Sequence, residues 1–448
     1  MNREQAPRTA SPEHPVPRPP SAVRFGPWLA TALVVGNIIG SAIFMLPASL
    51  APFGWNAVAA WIVTTAGALC LAWVFAELAR HLPEAGGAYG FMRQSLGEGA
   101  AFLGAWGYIV SMWAANAAIA IAGVSYLTRL VPPLARSPAG LAGAAAASIW
   151  LLRAVNLRGL RAAGGTQLVS SIVKLLPFGA VIGLAVWKIF DTAGAALPSV
   201  HAGSVTLAGT SGALGLTLYA MLGLESAAVP ADAVENPARV VPLATMAGTA
   251  LCALVSLVAT CAVALMLPPA VVQASKAPVS DFIAPSLGSA AGVAVAVCAV
   301  VSCLGCLNGW LLLCGQLPAA MADAGTLPAW FGARNSAAAP ARSIVLGSAV
   351  STLLTLMAYT KTGAGVYNFV ILISTATNLV MYLLCALAVF RFMRDGRIPQ
   401  SAGLVAPAAG ALLFVVWAFY GTGWESIAWG AGLIAAGWPL FLVTRRLG

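Results

Sequence analysis

Beyond its first two dozen residues, the chain alternates long apolar runs with short polar ones. Twelve runs can be counted, near 27–50, 56–79, 99–127, 138–155, 166–189, 208–231, 243–267, 284–320, 343–360, 364–390, 403–420 and 425–443. Each is near or above the ~20 residues that an α-helix needs to cross the hydrocarbon of a bilayer. Barrel strands would be about half as long and would alternate apolar with polar positions. The pattern predicts an all-α polytopic membrane protein with about twelve transmembrane helices.

Composition sharpens this. Of 448 residues, 60% are apolar and 8% charged, with mean hydropathy +0.89, whereas an ordinary soluble domain carries about 25% charged residues. A soluble globular enzyme is excluded, because so few charges cannot cover a water-facing surface. Residues 1–24 differ, with six prolines, four arginines, two glutamates and few large apolar side chains. They read as a disordered cytoplasmic tail. The net charge of +10 needs no nucleic acid. With the N-terminus inside, seventeen Lys and Arg fall in inner segments and five in outer loops, while Lys174 sits within a span. The positive-inside rule then predicts a multi-pass protein of the cytoplasmic (inner) membrane with both termini cytoplasmic.

Two charged residues are out of place. Glu225 lies near the middle of the sixth run, where a carboxylate is costly and by default functional, facing the bundle interior. Lys174, in the fifth, can snorkel to the interface from a turn or two away or serve the site. The first run is interrupted at Gly36-Asn37-Ile38-Ile39-Gly40-Ser41-Ala42 and the sixth at Gly223, just ahead of Glu225. Mid-span glycines and small polar residues permit an unwound stretch. Its amides attract a carboxylate and its carbonyls an ammonium. Interruptions in runs one and six, at corresponding places in two five-helix halves, are the pattern of inverted-repeat transporters.

These residues resemble the amino acid–polyamine–organocation transporter superfamily, most closely its arginine/agmatine exchangers. The likeness rests on the Gly36–Ala48 segment, on Pro83-Glu-Ala-Gly-Gly-Ala-Tyr89, Gly223-Leu-Glu-Ser-Ala, Glu235-Asn-Pro-Ala-Arg-Val-Val-Pro242 and Cys303-Leu-Gly-Cys-Leu-Asn-Gly-Trp310. It runs from about Pro27 through the twelfth span. It implies a 5+5 inverted-repeat core of the LeuT type, with discontinuous helices 1 and 6. The first repeat would cover 25–192, the second 206–395, and two further helices 400–448. It implies a midplane site where amides around Gly40, Ser41 and Ala42 hold a substrate carboxylate and carbonyls of Ile38, Tyr219 and Leu222 hold its ammonium. Met112, Asn116 and Ser374 match side-chain contacts, and Trp310 the aromatic that stacks on a cation. Glu225 matches the pH-sensing acid, Tyr89 and Tyr108 match gating tyrosines, and Lys174 matches a lysine standing where sodium binds in sodium-coupled relatives.

The departures concern the substrate. Ala42 replaces the second glycine of a Gly-Ser-Gly, Tyr219 replaces a gating tryptophan, and Met112 replaces a smaller residue beside the guanidinium. The implied function is secondary transport, an exchanger of cationic or polar amino acids or amines that is sodium-independent and pH-dependent. Proton-coupled uptake is the alternative, and a membrane sensor or channel the alternative of a different class. An intramembrane enzyme lacks its chemistry, since no Ser/His/Asp set, phosphate-binding loop or carboxylate pair is present. The eight cysteines fall in apolar runs, and Cys303-x-x-Cys306 reads as small apolar packing. No cofactor and no metal are expected. The expected partners are a small amino acid or amine and the lipid bilayer, with no nucleic acid; pairing as a homodimer stays open.

Overall fold

The computed structural model describes residues 26–85, 87–158, 174–192, 194–201, 203–227, 235–361 and 365–447. The N-terminal tail and the first part of the fifth run lie outside the described residues. The elements are all helical: α1 (Pro27–Ile38), α2 (Ala42–Leu50), α3 (Trp55–His81), α4 (Gly87–Leu96), α5 (Glu98–Leu130), α6 (Pro138–Asn156), α7 (Leu176–Asp191), α8 (Leu207–Tyr219), α9 (Pro237–Met266), α10 (Pro269–Ala274), α11 (Pro278–Leu287), α12 (Ser289–Asp323), α13 (Ala341–Ala358), α14 (Gly365–Arg394), α15 (Ala402–Thr422) and α16 (Trp424–Leu447). Among the described residues, eleven segments are long and apolar enough to cross a membrane. Of the fifth expected span only α7 is described, at 16 residues.

Several starts are written locally. Ser137 caps α6 by accepting from Gly140 N at 2.9 Å, and Thr206 caps α8 by accepting from Gly209 N at 3.0 Å, each satisfying an amide that has no partner inside its helix. Pro occupies the first turn of α1, α6, α7, α9, α10 and α11, where its missing N–H costs nothing. The predicted run 284–320 starts five residues early, because Gly288, at φ +90°, separates α11 from α12.

Burial sorts the helices into an inner bundle and an outer ring. The most apolar window of α1–α2 is wholly buried and that of α5 is 94% buried, against 22% for α6, 33% for α15 and 17% for α16. Long α5 runs against α12 on one side and α14 on the other, while α9 packs on α1 and α3. With apolar lipid outside, a helix gains little from burying apolar surface, so close packing and internal hydrogen bonds hold the bundle. Small residues permit that approach. A Cβ on Gly123 of α5 would stand 3.1 Å from Cys303 Cβ of α12. All eight cysteines are free.

Candidate functional site

The first apolar run folds as two helices with a gap. Ile39 N still reaches Val35 O at 2.9 Å, but Gly40 N turns back to Ile38 O, also at 2.9 Å. The carbonyls of Gly36 and Asn37 therefore lose the amides that a continuing helix would supply. Side chains from other elements replace them. Lys174 Nζ donates to Gly36 O at 2.7 Å, and Trp310 Nε1 donates to Asn37 O at 3.4 Å, with the Cys306 thiol at 3.8 Å from the same oxygen. Gly40 is required by closeness, since a Cβ there would collide with Cys306 Sγ. Lys174 is fully buried and does not snorkel.

The sixth run breaks differently. Beyond α8 the chain tightens into turns, with Met221 N donating to Leu218 O at 2.8 Å, Leu222 N to Tyr219 O at 3.2 Å and Ser226 N to Gly223 O at 2.9 Å. Gly223 has φ +106°, and a Cβ there would stand 3.1 Å from the backbone of Asn37. Both facts demand glycine. The two breaks meet at this point, where Asn37 Nδ2 donates to Ser226 Oγ at 2.9 Å.

Glu225 is fully buried beside that junction. Its Oε2 accepts from Tyr382 Oη at 2.6 Å and from Gly223 N at 3.2 Å. The Tyr108 hydroxyl lies toward the same carboxylate, and Tyr108 Oη and Glu225 Oε1 have no hydrogen-bond partner among the described residues. The Tyr108 ring sits edge-on to Trp310, with centroids 6.3 Å apart.

Between the breaks lies a cavity lined by Ile38, Gly40, Ser41, Ala42, Tyr219, Leu222 and Trp310, together with Asn37, Ala115, Ile119 and Cys306. Its volume is about 10 Å³, room for about one water. An amino acid enters only if helices part. Three hydroxyls gather on one wall, where Tyr367 Oη donates to Ser41 Oγ at 3.2 Å and Tyr219 Oη lies 3.4 Å from the same oxygen. Trp310 forms another wall, its ring held by the bond to Asn37. Among the described residues, no acidic side chain lines the cavity.

The structure thus brings together seven of the ten predicted binding residues. Met112, Asn116 and Ser374 are fully buried but do not line the cavity. Asn116 Nδ2 is turned to Cys314 Sγ at 3.2 Å, and Ser374 Oγ donates to Ser111 O at 3.0 Å. From α5 it is Ala115 and Ile119 that face the cavity, one turn apart. Tyr89 sits away from it, hydroxyl to hydroxyl with Thr326. Sequence reading missed Tyr367, Tyr382, Asn37 and Cys306 as site residues. A signal existed for the two tyrosines, because Tyr367, Ser374, Asn378 and Tyr382 recur at steps of seven and four along α14, one polar stripe on an apolar helix.

Comparison with known proteins shows the family. The model of the family described as amino acid permease matches residues 25–442. The chain belongs to the amino acid permease family. It is 31% identical to the putrescine transporter PotE of Haemophilus influenzae, over 92% of this chain and 94% of that protein. It is 30% identical to the putrescine transporter PotE of Escherichia coli K12, over 93% and 95%. To the cadaverine/lysine antiporter of Escherichia coli K12 it is 34% identical, over 77% of each chain. This permease is therefore a multi-pass membrane transporter and not an enzyme.

Proposed function

We propose that the permease exchanges cationic amino acids and their decarboxylated amines across the inner membrane by alternating access, independently of sodium and in a pH-dependent way. One observation carries the reading: a buried cavity at the meeting point of two broken helices, lined in part by Trp310, with the buried carboxyl of Glu225 next to the junction. An indole face attracts a desolvated cation by about 2 kcal/mol. In this reading the amides around Ser41 and Ala42 take a substrate carboxylate, and the carbonyls of Ile38, Tyr219 and Leu222 take its ammonium, in support of which all five residues line the cavity. The relatives named as putrescine and cadaverine/lysine transporters support amines and lysine as substrates, and point to diamines and lysine ahead of the arginine/agmatine pair. Met112, Asn116 and Ser374 are proposed to join the site when the cavity widens, and Tyr89 and Tyr108 to gate it.

The same proposal includes twelve spans, a 5+5 inverted repeat over 25–192 and 206–395 followed by two helices over 400–448, and both termini cytoplasmic. Sodium independence rests on Lys174, whose ammonium holds the Gly36 carbonyl at the first break. The test is uptake into proteoliposomes across a panel of lysine, arginine, ornithine, putrescine, cadaverine and neutral amino acids. Uptake of a cationic member should require an internal cationic amine and be unchanged when choline replaces sodium. Equal uptake into empty vesicles driven by a proton gradient would identify symport instead, and a strict sodium requirement would contradict the role given to Lys174.

A further inference from the structure

We propose that the permease carries a site for an anionic phospholipid, with one acyl chain in a groove along α16 and the headgroup on the arginines at that helix's C-terminal end. The groove lies between α5, α14, α15 and α16, has a volume of about 590 Å³, and is walled by Leu103, Val380, Phe419, Ile434 and Trp438 among other apolar residues. Along α16 it reaches from Ile427 to Pro439, which is roughly 18 Å at the helical rise. That is a little over half of a ~30 Å hydrocarbon core, the depth of one acyl chain in one leaflet. Ala431, Ala435 and Pro439 are exposed along it, and such short side chains leave the slot open toward lipid.

The groove leads to a basic mouth. Trp438 packs on Phe441 at 5.1 Å and Phe441 on Phe102 at 4.9 Å, and the Arg445 guanidinium stands 5.5 Å above the Phe441 ring. Arg445 and Arg93 both reach Glu98, each at 3.5 Å, so two cations share one carboxylate. Arg446, exposed beside them, has no acidic partner among the described residues. The mouth holds positive charge in excess, directly beyond an apolar slot. A second copy docking by a two-fold axis would set this patch against itself and bring arginine toward arginine. A soluble partner cannot follow the groove into the hydrocarbon. An anionic lipid satisfies both ends, with the apolar chain in the slot and the phosphate on Arg445 and Arg446.

Native mass spectrometry of the full chain in detergent tests this, with titration of phosphatidylglycerol or phosphatidylcholine bearing the same acyl chains. The first phosphatidylglycerol should bind tighter than phosphatidylcholine. Arg446→Gln should weaken it about fivefold, the share of one interfacial arginine, and leave phosphatidylcholine unchanged. Ala435→Phe, which fills the slot, should reduce both lipids to background, with Ala431→Leu as a milder second filling variant and a thermal melt confirming the fold. Equal affinity for the two lipids in the wild type overturns the proposal. So does full phosphatidylglycerol occupancy in both filling variants. A dimer that Ala435→Phe dissociates while lipid occupancy stays constant assigns the groove to a second copy and overturns it as well.

Discussion

The two broken helices lie against each other, yet they are held by opposite means. At the first break the freed carbonyls are taken by donors from elsewhere, Lys174 on Gly36 and the Trp310 indole on Asn37. At the second break the chain satisfies itself with successive tight turns, and Glu225 folds back onto Gly223 N, two residues away. From other helices, Tyr382 reaches in to hold the acid and Asn37 Nδ2 meets Ser226 Oγ. The first break is therefore braced by the surrounding bundle and contains no titrating group of its own. The second is locally closed and carries the buried carboxyl of Glu225, the group proposed to respond to pH. The same loss of helical hydrogen bonds is met once by donors from distant parts of the chain and once by local turns around a buried acid.

Removing a brace should do the most damage. Lys174→Met deletes the donor to Gly36 O and leaves a buried carbonyl unpaired, at about 1–3 kcal/mol. If that cost falls on the binding-competent arrangement, substrate affinity drops by up to about a hundredfold, measurable by isothermal titration on purified protein. Affinity unchanged from wild type would show that the first break stands without the lysine. Trp310→Leu comes next. It removes both the indole donor to Asn37 and the ring face, so affinity for a cationic amine should fall about thirtyfold, matching a desolvated cation–π contact of about 2 kcal/mol. A neutral aliphatic amino acid should lose far less, and equal losses would reduce the ring to packing. The smallest effect belongs to Tyr367→Phe, which deletes one hydroxyl from the Ser41 cluster. A net hydrogen bond of about 1 kcal/mol corresponds to roughly a fivefold change, expected in the transport KM of an amino acid and not of a diamine without a carboxylate. The opposite pattern would place the amine end of the substrate at that wall.

How far the sequence reveals these two regions follows from what each residue contacts. Eleven of the twelve expected spans and both interruptions were legible because length, apolarity and mid-run glycines are local. Glu225 and Lys174 stood out because a charge in an apolar run is costly wherever it points. Their partners were not legible. Tyr382 meets Glu225 across 157 positions and Lys174 meets Gly36 across 138, and nothing local to either residue announces that pairing. On α5 the difficulty was register. Met112 and Asn116 were expected at the cavity, but Ala115 and Ile119 line it while Asn116 turns to Cys314. Alanine and isoleucine in an apolar helix carry no signal of a site.

The claim that the two breaks divide the work rests most directly on Glu225. The decisive measurement is the pH profile of substrate exchange in proteoliposomes for wild type and Glu225→Gln, with Gln standing for the protonated acid at nearly constant volume and still able to meet the Tyr382 hydroxyl. A proton shifts the balance of open states only through its different affinity for them, so the variant should fold, exchange substrate and show a flat profile. A Glu225→Gln permease that keeps the wild-type profile would place the titrating group elsewhere and remove the distinction between the two breaks.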